Sequence, residues 1–312
     1  MFYKNVILPF PTIRRPELKR GIHFETKTAV TKTTKDFLEE TLVVLVIYRC
    51  VPEKSATWSS LVQEAARLKA TIHVFVYDNS PEPRHFSPPP FIKMEYKHNP
   101  DNPGVSKAYN EGCAVARGKA KRWLLLLDQD TSFPPGWLDS YFHTTIEAPP
   151  YTISVPILLS GATVVSPFRH WLTKGVPSHR VEPGVYSLSR YFALNSGLLI
   201  DREVFESAGG YDESIPLYFS DFAFMSKLKK NNGRLNVLDL RCRHGLSALE
   251  KQNVASEIVR FKQYCLGSKR WAHYTHQSFL HFCVGGGRAI RLGIRHRSMT
   301  FIAILIQSWV TG

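Results

Sequence analysis

The chain has 312 residues, 44% of them hydrophobic and 21% charged, which suffices for a sizeable core and excludes a disordered composition. Its apolar stretches, FIAILI at 301–306 among them, are far too short to span a bilayer, and the N-terminal MFYKNVILPFPTIRR is broken by prolines and lacks a cleavage site, so neither a membrane span nor a signal peptide is expected. The net charge of +14 is polarised: residues 1–35 carry +6, residues 258–312 carry eight Lys/Arg and no acid, and the stretch between is neutral, which suits an anionic partner at the two ends.

In chain order, residues 1–40 read as an irregular basic arm, because Pro9, Pro11 and Pro16 oppose a long helix. TLVVLVIY (41–48) is a continuous β-branched apolar run, the pattern of a strand buried on both faces. SATWSSLVQEAARLK (55–69) has an apolar face near helical period, and Ser55 can cap it. IHVFVYDNS (72–80) and FIKMEYKH (91–98) read as strands, NPGVSKAYNEGCAVAR (102–117) as a turn and a helix, and KRWLLLLDQD as a fourth strand. The β-α-β-β-α-β order predicts an α/β fold with a mostly parallel sheet.

Further on, YTISVPILLS and ATVVSPF suggest strands, and 190–213 a strand followed by a helix capped by Asp201. DFAFMSKLKKNNG (221–233) reads as a helix, RLNVLDLRCRHGLS (234–247) as a strand running into a loop, and everything from 251 as basic and helical. The domains expected are therefore a basic arm (1–40), a catalytic domain (41–250) and a C-terminal helical region (251–312). Five cysteines without a CxxC pair fit a reducing cytoplasm.

Ligands of parallel sheets gather at the carboxyl ends of the strands. Here three such ends are polar: Tyr48-Arg49, Asp78-Asn79-Ser80 and Asp128-Gln129-Asp130. On an extended chain Asp128 and Asp130 face the same way, and two close carboxylates call for a cation between them. A hard divalent ion would meet that need and leave positions for phosphate oxygens. Asp at a strand end is also simply a common turn residue. Asp78 could accept a hydrogen bond from the imide N–H of a uracil or thymine, and Gly104 opens a helix start that could face phosphate.

The strings YDNSPEP, DNPGVSKAYNEG, WLLLLDQDTSFPPGWL, NSGLLIDREVFESAGGYDES, YFSDFAF and HGLS occur in that order. Together, over about residues 41–250, they resemble the GT-A glycosyltransferases of family 2, most closely their bacterial rhamnosyltransferase branch of surface-polysaccharide (O-antigen) synthesis. The resemblance implies a GT-A fold and roles for matched residues. Asp78 would read the base, Asp128 would lie near ribose and donor sugar, and Asp130 with His244 would hold Mg²⁺ or Mn²⁺. Tyr48, Asn79, Gly104, Lys107, Asn110 and Gln129 would join the donor site, and Asn195, Ser196 and Gly197 the acceptor side. Asp221 would be the catalytic base, which suits the high pKa of an acceptor hydroxyl. The competing readings are that Asp221 is a helix N-cap and His244 a loop histidine between Arg241 and Arg243. The chain departs from the family pattern at Ser220, Ala223 and Arg49.

The implied reaction is an inverting transfer, with dTDP-L-rhamnose as donor and a lipid-linked saccharide as acceptor. A UDP-hexose or galactofuranose donor is an alternative, as is a silent GT-A-like binding protein. A nucleotidyltransferase fits poorly, because IYRCVPEKS is not a glycine-rich loop, and a nucleic-acid partner is not expected beside an acidic site. Arg288, Arg291 and Arg295 recur along one face of a C-terminal helix, with an apolar stretch after them. That pattern predicts peripheral association with an anionic membrane surface, on the inner face of the cytoplasmic membrane.

Overall fold

The four leucines before DQD are divided between two cores. Leu124 and Leu126 pack into one apolar cluster and Leu125 and Leu127 into another, because successive side chains of a strand leave on opposite faces. A strand apolar on both sides belongs at the centre of a covered sheet. The computed structural model places it there. It describes residues 32–84, 86–147, 152–171, 173–177, 180–245 and 253–310. From Thr33 onward these form one compact unit.

The first half runs α1 (Thr34–Glu39), β1 (Thr41–Ile47), α2 (Ala56–Leu68), β2 (Ile72–Asp78), β3 (Ile92–His98), α3 (Val105–Gly118) and β4 (Trp123–Asp128). β4, β1, β2 and β3 lie side by side and parallel, the doubly covered arrangement predicted from the sequence. Register then fixes the working edge: Ile47 at the end of β1 lies opposite Asp78, and Val46 lies opposite Asp128. The expected arm is not irregular throughout. Residues 34–39 form α1 because Thr33 and Asp36 close a capping box and Phe37 and Leu38 are buried. Residues 1–31 of that arm lie outside the described residues.

The second half adds β5 (Thr131–Ser132), α4 (Trp137–Glu147), β6 (Thr152–Ser160), β7 (Thr163–Ser166), β8 (Phe168–Trp171), β9 (Lys174–Pro177), β10 (Gly184–Ser187), β11 (Tyr191–Phe192) and β12 (Leu198–Asp201). α5 (Arg202–Ser207), α6 (Ser220–Lys230) and β13 (Arg234–His244) follow. β12 runs antiparallel between β4 and β6, and the main sheet has the order β10-β13-β6-β12-β4-β1-β2-β3. A separate small sheet, β11-β8-β9, packs on α6, where Phe168 meets Phe222 at 5.1 Å. α7 (Val254–Thr275), α8 (Ser278–His296) and α9 (Thr300–Val310) pack together around Phe261, Tyr264, Ala289 and Phe301. Asp201 caps α5 through the Glu203 amide, and Ser55 caps α2 through the Trp58 amide, both as the sequence indicates.

Helix α3 lies close on β1. A Cβ at Gly112 would stand 2.5 Å from the Val44 side chain, which is itself fully buried. Gly112→Ala is expected to destabilise the protein by about 1–3 kcal/mol through overpacking. Leu126→Ala is expected to cost about 2–5 kcal/mol through the cavity it leaves. Denaturant unfolding measures both; an unchanged midpoint for either would mean that this layer is packed otherwise.

Candidate active site

The strand β4 ends at Asp128, and the chain turns through Gln129 and Asp130 into β5. The start of α2 holds that turn. Ser55 donates its hydroxyl to the Gln129 carbonyl at 2.6 Å, and the Thr57 hydroxyl lies 2.5 Å from the Asp128 carbonyl and accepts from the Thr131 amide at 3.0 Å. The Gln129 amide grips the backbone of Tyr48 twice, accepting at 2.7 Å and donating at 3.2 Å. Gln129 is thus a strut between β4 and β1, while the Tyr48 ring remains 39% exposed at the edge.

β13 delivers the next residue. Its final position, His244, pairs with Thr131 of β5, and the Gly245 amide donates to the Asp130 carbonyl at 2.9 Å. His244 therefore ends a strand and is not a loop residue. Its Nδ1 lies 2.8 Å from the Thr131 hydroxyl and 3.4 Å from Asp130 Oδ1. Arg241 and Arg243 alternate to the exposed side of β13. Burial pushes the Asp130 carboxyl up to about 6; the charge of Asp128 adds to the rise and His244 opposes it.

Asp128 accepts from the Tyr109 hydroxyl at 2.7 Å, and its amide donates to Ser196 Oγ at 3.1 Å. Its charge is felt further on by Asp221. That carboxylate is only 8% exposed in the first turn of α6 and accepts from the Phe222 amide at 2.8 Å. Burial pushes Asp221 up to about 7; the Phe222 amide works against the rise and Asp128 reinforces it. Asp221 is not the N-cap of α6. That position belongs to Phe219, whose φ of +69° is a strained conformation for an aromatic residue. Phe219 is held by stacking on Trp271 of α7 at 5.4 Å.

Asp78 is fully buried; its Oδ1 accepts from the Ser80 amide at 2.8 Å and its Oδ2 from the Tyr96 hydroxyl at 2.6 Å. Beside it, the Asn79 side-chain oxygen is buried without a partner. Gly104 has a φ of +90°, and a Cβ there would meet the Pro216 carbonyl at 2.1 Å. The Val105 amide already donates to that carbonyl at 2.8 Å. Gly104 thus docks α3 on the 215–216 segment, and this amide is not turned to a phosphate.

Lys107 pairs with Glu213 at 3.2 Å, and Asn110 binds Tyr211 and Glu213, so both fasten the 210–213 loop. Asn195, Ser196 and Gly197 are buried and buttress the end of β4. Asn195 accepts from the Tyr211 hydroxyl at 2.7 Å, Ser196 holds the Asp128 amide, and Gly197 donates to the Leu126 carbonyl and accepts from Tyr141. Tyr109, Tyr211, Thr57 and Thr131 were missed from sequence. The tyrosine in the string SKAYNEG was the one available signal, since it lies on the helix beside β4.

Two raised carboxyls, Asp130 and Asp221, thus flank Asp128. Among the described residues no group of three or more His, Cys, Asp or Glu surrounds a metal position. Asp130 and His244 form a two-residue site, which fits an ion completed by water and substrate phosphate. Residues 44–207, more than half of the sequence, match the family "Glycosyl transferase family 2". The chain belongs to glycosyl transferase family 2. The family 2 chain is also similar to S. aureus TarS residues 1–349, at 15% identity and a TM-score of 0.47 over 78% of this chain and 68% of that one. To the same TarS segment in complex with UDP-GlcNAc it has 13% identity and a TM-score of 0.48, over 86% and 81%. No curated protein matches. The α/β architecture is consistent with GT-A.

A carboxyl whose folded pKa is raised stabilises the fold only while protonated. For Asp221 that contribution is complete below about pH 4 and is lost as pH rises through about 7. Asp221→Asn should therefore unfold at a higher temperature than the native protein at pH 8, with the gap closing toward pH 4. Melting curves across that range check the sign; a gap that stays constant with pH would refute a buried, proton-retaining Asp221.

Proposed function

We propose that this family 2 glycosyltransferase moves a sugar, with inversion, from a nucleotide diphosphate donor to a hydroxyl of a lipid-linked saccharide. dTDP-L-rhamnose is the favoured donor, on the strength of the ordered strings of the catalytic region. The observation that carries the reading is a buried carboxylate, Asp221, raised to about 7 and coupled through Asp128 to the Asp130–His244 pair. A group with that pKa can accept a proton near neutral pH and is not simply ionised and inert.

In the proposed reaction Asp221 takes the proton of the acceptor hydroxyl as the hydroxyl oxygen bonds to the anomeric carbon. The bond from that carbon to the diphosphate oxygen breaks, and the pair of electrons leaves with the diphosphate. Asp130 and His244 would hold Mg²⁺ or Mn²⁺, which when bound would neutralise charge on the diphosphate. His244 Nδ1, the ring nitrogen 3.4 Å from Asp130 Oδ1, also faces the Thr131 hydroxyl at 2.8 Å, which fixes the ring. Asp128, oriented by Tyr109, would lie toward ribose and donor sugar. The unpaired oxygen of Asn79 favours a donor group at the end of β2, since buried acceptors are rarely left unsatisfied. Asp78, whose oxygens accept from the Ser80 amide and the Tyr96 hydroxyl, would lie at the base end of the donor.

Asp221→Asn is expected to lower turnover by about 10²–10⁴-fold with donor affinity retained. Asp130→Asn should lower turnover severely and weaken dependence on Mn²⁺. A thermal-shift panel of nucleotide sugars, with and without Mn²⁺, tests the donor: dTDP-L-rhamnose with Mn²⁺ should stabilise most. Near-native turnover in Asp221→Asn, or no response to any nucleotide sugar, would overturn the reading.

A further inference from the structure

The C-terminal helices bury one side and leave another bare. On α8, Phe279, Ile290 and Ile294 fall at i, i+11 and i+15, on one helical face, and Phe279 is 81% and Ile294 75% exposed. Met299 just before α9, and Ile306 and Val310 on it, are all exposed, Val310 at 77%. The two helices pack directly on each other: Phe282 meets Trp309 at 5.7 Å, and a Cβ at Gly285 would stand 2.9 Å from Leu305. Large side chains exposed at regular helical spacing on two adjoining helices need a cover.

The arginines do not form the face that their spacing suggests. Arg288 lies over the Tyr264 ring at 4.2 Å, and Arg295 pairs with Glu257 at 3.5 Å. The exposed cations next to the apolar stripe are Arg291, Arg295 and Arg297, of which Arg295 also pairs with Glu257. Residues 258–312 contain no acid. A second copy of the chain laid on this face would bring the same cations and no carboxylate from these helices, so charge opposes self-association. An anionic lipid surface offers both what the stripe and what its rim require: acyl chains for Phe279, Ile290 and Ile294, and phosphates for Arg291 and Arg297. No helix among the described residues is long and apolar enough to cross a membrane, so the contact is lateral.

We infer that the α8–α9 face is a docking surface for an anionic phospholipid bilayer, with the apolar stripe inserted and Arg291 and Arg297 at the headgroups. The inference draws its purpose from the proposed lipid-linked acceptor, yet it is separable from the transfer reaction, because Asp221→Asn protein should bind vesicles as the native protein does.

The test is sedimentation of the full chain with phosphatidylcholine vesicles, alone or mixed with phosphatidylglycerol. The native protein should sediment with the anionic vesicles and bind the neutral ones at least about tenfold more weakly. The triple variant Phe279→Ser, Ile290→Ser, Ile294→Ser should lose at least about tenfold in anionic binding. The pair Arg291→Glu, Arg297→Glu should also bind more weakly and show less salt dependence, with the melting temperature held. Three results would overturn the inference: no binding to anionic vesicles, unchanged binding by the triple variant, or a native dimer in light scattering that the triple variant abolishes.

Discussion

One carboxylate, Asp128, ties the two halves of the site together. It stands at the end of a strand whose apolar side chains fill both cores, so its position is set by the packing of the whole sheet. Its charge raises Asp130 on one side and Asp221 on the other. Neither neighbour would behave as an unusual acid in water; burial and this shared charge make them so. The cost is electrostatic, and the fold offsets part of it with the hydrogen bond that the Tyr109 hydroxyl donates to the Asp128 carboxylate, while the Asp128 amide is anchored by donating to Ser196 Oγ.

The remaining architecture keeps these groups at their spacing. α2 grips the Asp128–Asp130 turn through Ser55 and Thr57, β13 brings His244 to Asp130 by pairing with β5, and α7 holds Phe219 in a strained conformation two residues before Asp221. The last contact links the C-terminal helices to the proposed base. Gly267 of α7 serves the same contact, since a Cβ there would meet the Tyr218 carbonyl at 2.1 Å. The C-terminal region, readable in sequence as basic and helical with an apolar end, thus has two faces: one bears on α6 and the other is apolar, exposed and flanked by arginine.

Strands β1 to β4 and helices α2 and α3 were legible because each carries an unbroken period and a cap or turn residue at its boundary. The DQD turn and Asp221 were legible as acids next to apolar runs. Partners distant in sequence were not. Nothing local in SKAYNEG says that Tyr109 will face Asp128, and Gln129 gives no sign that its amide will be used up on Tyr48. Gly104, Lys107, Asn110 and Asn195–Gly197 stand in motifs that look like binding loops, yet they fasten the 210–216 segment and the end of β4. Short polar strings show that a segment is fixed, and only the tertiary contacts show whether it is fixed for a ligand or for the fold. The arginine spacing misled for the same reason, because a helical face is defined by what packs against it.

The central claim is that burial, reinforced by the charge of Asp128, holds Asp221 in a proton-accepting state. Carbon-13 NMR titration of labelled aspartate carboxyls, assigned with Asp221→Asn, measures this directly. The account predicts that Asp221 titrates near 7 in the native protein and at a lower pH in Asp128→Asn. Titration near 4 in the native protein, or a value indifferent to loss of the Asp128 charge, would contradict it.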